Sequence, residues 1–173
     1  MVAVTSLDGK LTWGDDPDIH KWTSKDDKRH FAKMRESHNL IVMGRGTYEA
    51  IKPVKPIPGK LRVVLTRKPE VFRNEAAAGS LEFSSESPAR LVARLEKNGF
   101  GEMLVVGGGE INAAFLEADL IDEIYLTIEP YVFGVGTDFA AGANLNKKLE
   151  LMDTSKLNDK GTILLHYRVK KDT

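Results

Sequence analysis

Residues Leu104–Phe115 read LVVGGGEINAAF, an apolar run that stops at three successive glycines, Gly107, Gly108 and Gly109, and continues as a helix-like pattern. A single glycine at such a junction makes a tight strand-to-helix turn. Three in a row forfeit more backbone order than a turn requires, which points to something that approaches the backbone too closely to admit side chains. In an open α/β sheet the carboxyl end of a strand borders the ligand crevice. The helix that follows presents free N–H groups to an anion or a flat ring there. A dinucleotide fingerprint would need glycine where Asn112 stands, and a phosphate-binding P-loop would need Lys and Ser or Thr after its last glycine. A kinase or ATPase is therefore disfavoured, and a pyrophosphate remains the natural guest.

The same strand-to-helix grammar recurs on both sides of this stretch. VAVTS (Val2 to Ser6) is a short β run, and SKDDKRHFAKMRESH offers Ser24 as N-cap with acids in the first helical turn. NLIVMG (Asn39 to Gly44) reads as a buried strand, RGTYEAI as a short helix, and KLRVVLTR (Lys60 to Arg67) as a strand after the turn PIPG. SPARLVARLEKNG places Ser87 at an N-cap, Pro88 at the first helical position and Gly99 just past the end. Towards the C-terminus, IDEIYLTIEPYVFG alternates Ile124, Leu126 and Ile128 against Tyr125, Thr127 and Glu129, and TILLHYRVK alternates in the same way. The order predicts an α/β sandwich whose parallel centre gains antiparallel strands late in the chain, in a single domain over residues 1–173 without repeat or linker.

Two further strand ends carry phosphate chemistry. MGRGTYEA runs from strand into helix and supplies Gly44, Arg45, Gly46 and Thr47; VVLTRKP supplies Thr66 and Arg67. Guanidinium groups bind phosphate bidentately, and hydroxyls beside a helix N-terminus add to that. Two arginines and two threonines at successive strand ends point to a phosphorylated dinucleotide.

Composition excludes much else. Lys plus Arg equals Asp plus Glu at 25 each, so no basic field draws nucleic acid. With no cysteine there is no disulfide, zinc ribbon or thiol nucleophile. His20, His30, His38 and His166 have no metal-ligand spacing, so no metal is expected. No apolar run approaches membrane-spanning length, and the start MVAVTSLDGK lacks the features of a signal peptide, which suits the cytoplasm.

Taken in order and spacing, TSLDGKLT, MGRGTY, PIPGKLRVVLTR, VVGGGEIN and LIDEIYLTIEPYVFGVGTDF resemble the dihydrofolate reductase superfamily over nearly the whole chain. Within it, SLDGK, GGGEIN and LIDE…P…FGVGTDF are similar to the reductase domain of riboflavin biosynthesis, the C-terminal domain of the bifunctional deaminase-reductase. The resemblance implies a three-layer α/β/α sandwich around a mixed eight-stranded sheet, and reduction of a ribosylaminopyrimidinone phosphate with NADPH. By the same resemblance Gly44, Arg45, Gly46 and Thr47 hold adenosine-side phosphates, with Thr66 alongside and Arg67 beside the 2′-phosphate. Gly107, Gly108 and Gly109 admit the pyrophosphate and nicotinamide, and Glu110, Ile111 and Asn112 present the helix N-terminus. Riboflavin-pathway reductases and many relatives dimerise, which together with the long apolar strand IDEIYLTIEPYVFG implies a homodimer joined through C-terminal strands. The alternative is that KKLELMDTSKL and GTILLHYRVKK cover that strand within one subunit.

On the substrate side, Val4 in the first strand can offer its carbonyl to a heterocycle amine, while Asp8 and Lys10 lie in the loop that borders the ring in relatives. Asp27 and Phe31 are four apart on one helix face, so a carboxylate can pair with a ring amidine, as the one candidate catalytic group, while the aromatic stacks on it. Asp27 in a first turn also complements the helix dipole, and both readings stand. Trp13 and Trp22 flank the loop as ring covers or satellite core. EAIKPVKPIPGK is closer to dihydrofolate reductases than to riboflavin-pathway enzymes, which keeps a pterin substrate open. A non-catalytic NADPH-binding sensor is the alternative from another class.

Overall fold

The computed structural model describes residues 1–171, so the last two residues of the expected 1–173 domain lie outside the described residues. Eight strands are present: β1 (Val2–Ser6), β2 (Leu40–Gly44), β3 (Leu61–Leu65), β4 (Leu81–Ser84), β5 (Leu104–Val105), β6 (Glu123–Glu129), β7 (Leu149–Lys156) and β8 (Ile163–Val169). Four α-helices join them: α1 (Lys25–Ser37), α2 (Arg45–Ile51), α3 (Pro88–Lys97) and α4 (Gly109–Glu117). Backbone hydrogen bonds group the strands as β4-β3-β2-β5, all parallel, and β1-β6-β8-β7, in which β1 and β6 are parallel and the last pairs antiparallel.

Strand alternation sorts the side chains into two cores that run across both groups. Leu40, Val42, Val63, Leu65 and Val105 face one side, where they meet Leu91 and Leu95 of α3 and Phe115 and Leu116 of α4; Met1 and Ile124 join the same core. Ile41, Met43, Val64 and Leu104 face the other, with Phe31 and Met34 of α1, Tyr48 of α2, and Val2 from β1. Sheet in the middle and helices on both faces give the three-layer sandwich. The eight strands share these cores but hydrogen-bond as two four-stranded groups, with β5, only two residues long, at the edge of one and β1 at the edge of the other.

The N-caps follow the sequence. Ser24 Oγ accepts from Asp27 N–H at 3.1 Å. Ser87 and Pro88 open α3 as expected, although Ser87 makes no side-chain capping bond. Strand β4 was not legible, since LEFS alternates for only four residues.

One argument for dimerisation needs correction. Strand β6 is internal, paired with β1 on one side and β8 on the other, so it offers no open edge. The alternative holds instead: β8 covers β6, and β7 covers β8 within the same chain. The open edge belongs to β7, with Leu149, Leu151 and Met152 all exposed.

Candidate active site

A cleft of about 1760 Å³ runs along the carboxyl ends of β2, β3 and β5 and past Val2, Ala3 and Val4 of β1. The two glycine turns meet across it: Gly44 N–H donates to Gly107 O at 2.7 Å. Gly44, Arg45, Gly46, Thr47, Thr66, Arg67 and all six residues from Gly107 to Asn112 line the cleft, so each cofactor-side residue named from sequence is brought to one place.

The three glycines of the opening stretch answer to three different constraints. Gly107 has φ +89°, a left-handed conformation that side chains resist. A Cβ on Gly109 would collide with the Asp138 carbonyl, so this glycine serves chain packing. Gly108 has neither reason: its φ is −73°, and a Cβ there would meet only Thr47 Oγ1, at an ordinary 3.6 Å. The space above Gly108 belongs to the cleft, and a backbone kept bare towards an open cleft fits a flat or phosphorylated guest.

Arg45 and Arg67 are exposed at the rim. Arg45 Nη1 donates to Glu49 Oε2 at 2.6 Å, a surface pair that contributes little and can exchange for a phosphate. Asn112 is fully buried; its amide donates to Phe139 O at 2.8 Å while its side-chain oxygen has no partner among the described residues. This bond ties the start of α4 to the 137–141 segment.

At the other end of the cleft stand Val4, Asp27 and Phe31. Asp27 is only 6% exposed. Burial pushes its carboxyl up to about 6, the neighbouring Thr127 hydroxyl opposes the rise, and the Glu129 carboxylate adds to it. Thr127 Oγ1 is buried without a hydrogen bond of good geometry, so its influence on Asp27 comes from proximity. Helix complementation alone does not bury a carboxylate, and the balance moves towards a ligand-facing Asp27.

Asp8 and Lys10, expected from sequence as substrate contacts, are not among the residues that line the cleft. Asp8 accepts from Ser6 Oγ at 2.6 Å and from the N–H groups of Phe133 and Gly134 at 3.0 and 2.7 Å. These bonds hold its carboxyl down at about 2. Lys10 Nζ pairs with Asp138 at 2.5 Å. Both residues latch the opening loop to the segment after β6, and that segment in turn packs on Gly109. Trp13 and Trp22 gather around Phe133 as a satellite cluster and are not themselves part of the cleft lining. The described residues contain no cluster of His, Cys, Asp and Glu able to hold a metal.

Sequence reasoning missed Thr127 and Glu129. Both sit on the polar side of the alternation in β6, which reads as a solvent face, yet they are 0% and 2% exposed. Glu129 is enclosed by Ser24 at the start of α1 and by Thr162 just before β8.

Residues 1–163 match the family described as the RibD C-terminal domain. The chain belongs to that family. The chain is 26% identical to the uncharacterized protein YwjB of Bacillus subtilis over 167 residues, covering 95% of this chain and 89% of that one. It is 34% identical to dihydrofolate reductase of Mycobacterium tuberculosis over 97 residues, covering 55% of this chain and 52% of that enzyme. The fold superposes with a TM-score of 0.72, at 20% identity, on a diaminohydroxyphosphoribosylaminopyrimidine deaminase/5-amino-6-(5-phosphoribosylamino)uracil reductase from Thermotoga maritima. That match covers 98% of this chain and 55% of the larger protein. The RibD C-terminal fold, with its dihydrofolate reductase-like architecture, is thus established for this chain.

Proposed function

We propose that this chain is an NADPH-dependent reductase of a pyrimidine-type heterocycle, acting like the 5-amino-6-(5-phosphoribosylamino)uracil reductase of riboflavin biosynthesis. We place it in the cytoplasm as a homodimer of single-domain subunits spanning residues 1–173. The observation that carries the reading is one cleft with a bare backbone at Gly108 and a buried carboxylate at Asp27.

In this reading Gly44, Arg45, Gly46, Thr47, Thr66 and Arg67 hold the phosphates of the adenosine half, with two guanidinium groups for the 2′-phosphate. Gly107 to Ile111 leave room for the pyrophosphate and nicotinamide beside the start of α4, and Asn112 secures that turn from below. NADPH, when bound, supplies the hydride. The chain aligns the acceptor ring: Phe31 offers a stacking face, the Val4 carbonyl accepts from a ring amine, and Asp27 accepts from ring N–H groups. With its carboxyl titrating at about 6, Asp27 can also hold a proton beside a ring nitrogen near neutral pH.

A dihydropterin is the second reading, favoured by the Asp27 and Phe31 pair on one helix face, since a carboxylate beside a stacking ring suits an N–C–N amidine. The test follows absorbance loss at the reduced-nicotinamide band with phosphoribosylaminopyrimidinones and dihydropterins, each with NADPH and NADH. Turnover of the pyrimidinone supports the first reading and turnover of dihydropterin alone the second. NADPH binding without turnover of any compound would leave a sensor.

A further inference from the structure

At the edge strand β4 a carboxylate reaches the cleft beside the residues read as phosphate contacts. The strand order β4-β3-β2-β5 sets out the carboxyl ends in a row: the glycines follow β5, Arg45 and Thr47 follow β2, Thr66 and Arg67 follow β3, and Glu86 follows β4. Thr66 N–H donates to Ser84 O at 2.9 Å, which holds the last two of these ends side by side. Glu86 lines the cleft. A carboxylate repels a phosphate, so its presence at this rim asks for a different group of the guest.

The bonds around Glu86 are one-sided. Arg94 on α3 donates to its Oε2 from Nε at 3.0 Å and from Nη2 at 2.8 Å, and Ser84 Oγ donates to the same oxygen at 2.9 Å. Oε1 receives only the longer Nε contact, at 3.2 Å. The Ser84 hydroxyl accepts the Glu86 N–H at 3.1 Å, so backbone and side chain are both fixed. Hydrogen bonding from Arg94 holds the Glu86 carboxyl below the usual carboxylate range, so the group is an acceptor only, with spare capacity on Oε1. Arg94 also bonds Glu82, which is not part of the cleft lining. A clasp between β4 and α3 needs only Glu82 and Oε2 of Glu86. It does not account for a pinned carboxylate at the rim with its second oxygen underused.

We propose that Glu86 is a specificity-determining contact for the purine end of the dinucleotide, its Oε1 accepting the exocyclic amine of adenine. This rests on the reading of the cleft as a dinucleotide site. With the pyrophosphate beside the glycines after β5 and the adenosine phosphates at the ends of β2 and β3, the base falls beyond them at β4. The 2′-phosphate and the ring nitrogens of adenine are acceptors, which an ionised carboxylate rejects, whereas the 6-amino group is the donor on the base. Arg94 is a positioning residue, because it occupies Oε2 and leaves Oε1 to the ligand.

Fluorescence titration of the full-length protein with NADPH and with its hypoxanthine counterpart, in which a carbonyl replaces the 6-amino group, tests the contact. Hydrogen bonds to charged groups are the stronger kind, so NADPH binds about tenfold more tightly than the hypoxanthine form. Glu86→Gln, which offers an amide donor as well as an acceptor, removes that preference. Glu82→Gln, which alters the Arg94 clasp outside the cleft lining, keeps it. A preference that survives Glu86→Gln, or equal binding of the two dinucleotides by the parent protein, overturns the contact and leaves the cofactor reading standing. Binding of neither dinucleotide overturns both. The parent comparison needs no substitution, so it decides the matter even where Glu86→Gln does not fold.

Discussion

Glu129 on β6 clamps the start of α1 at Ser24: its Oε1 accepts the Ser24 N–H at 2.6 Å, and its Oε2 accepts from Thr162 Oγ1 at 2.7 Å. Ser24 then caps Asp27, so one buried carboxylate positions another. Replacing Glu129 with Gln keeps an acceptor for Ser24 and removes the charge that adds to the rise burial imposes on Asp27. The Asp27 carboxyl in Glu129→Gln titrates below its parental value of about 6, as read by carboxyl carbon NMR. An unmoved titration with a lower melting temperature would reduce Glu129 to a clamp alone.

Asp27 itself makes stability fall with pH. An aspartate that ionises near 3.8 when unfolded and at about 6 when folded binds more protons in the native state across that interval. Stability therefore declines from pH 4 to 6 and stays lower above it. Asp27→Asn is expected to stabilise the chain by up to roughly 3 kcal/mol at pH 8 and hardly at all below pH 4, while abolishing turnover. Denaturant melts at the two pH values decide it; equal effects at both would show that burial of Asp27 is not felt as charge.

Cofactor choice rests on Arg45 and Arg67. Charge-assisted contacts to phosphate contribute about 1.5–3 kcal/mol each, and 1.4 kcal/mol is tenfold, so NADPH should bind at least ten times more tightly than NADH. Fluorescence titration of both cofactors checks this, and Arg67→Met should narrow the gap. Equal affinities would remove the 2′-phosphate from this rim.

Adjacent glycines should respond oppositely to the same added methyl. In Gly108→Ala the new Cβ meets only Thr47 Oγ1 within the protein, so the melting temperature holds while NADPH binding weakens by about 1–3 kcal/mol. In Gly109→Ala it drives into the Asp138 carbonyl and destabilises the fold by about 1–3 kcal/mol. Thermal melts paired with titrations separate the two; normal NADPH affinity in Gly108→Ala would make all three glycines a turn.

The homodimer now rests on β7. Its eight residues form the outer strand of β1-β6-β8-β7, nearly all of them exposed, with Leu149, Leu151 and Met152 open to solvent. An unprotected apolar edge is a pairing surface. Light scattering is expected to give twice the 19.2 kDa chain mass, and Leu151→Lys to return it to one chain. A single-chain mass for the parent protein would end the proposal.

The alternation of strand and helix, the Ser24 cap and the gathering of the glycine turns at one end of the cleft were legible in sequence because each depends on residues close together in the chain. A glycine after a strand and before a helix has one place to go in an α/β sheet, and GRGT, LTR and GGG arrive at the same edge by topology alone. The reasons for the individual glycines were not legible. Gly109 is bare because Asp138 packs on it from 29 positions away, and Gly108 because nothing does. The same holds for charge: Asp8 and Asp27 look alike as loop or first-turn acids, yet bonds from Ser6, Phe133 and Gly134 hold one at about 2, and desolvation lifts the other to about 6. Local sequence determined which elements form and in what order. Tertiary structure alone decided which polar groups leave water, since burial of Asp27, Arg62, Thr127 and Glu129 comes from elements distant in the chain closing over them.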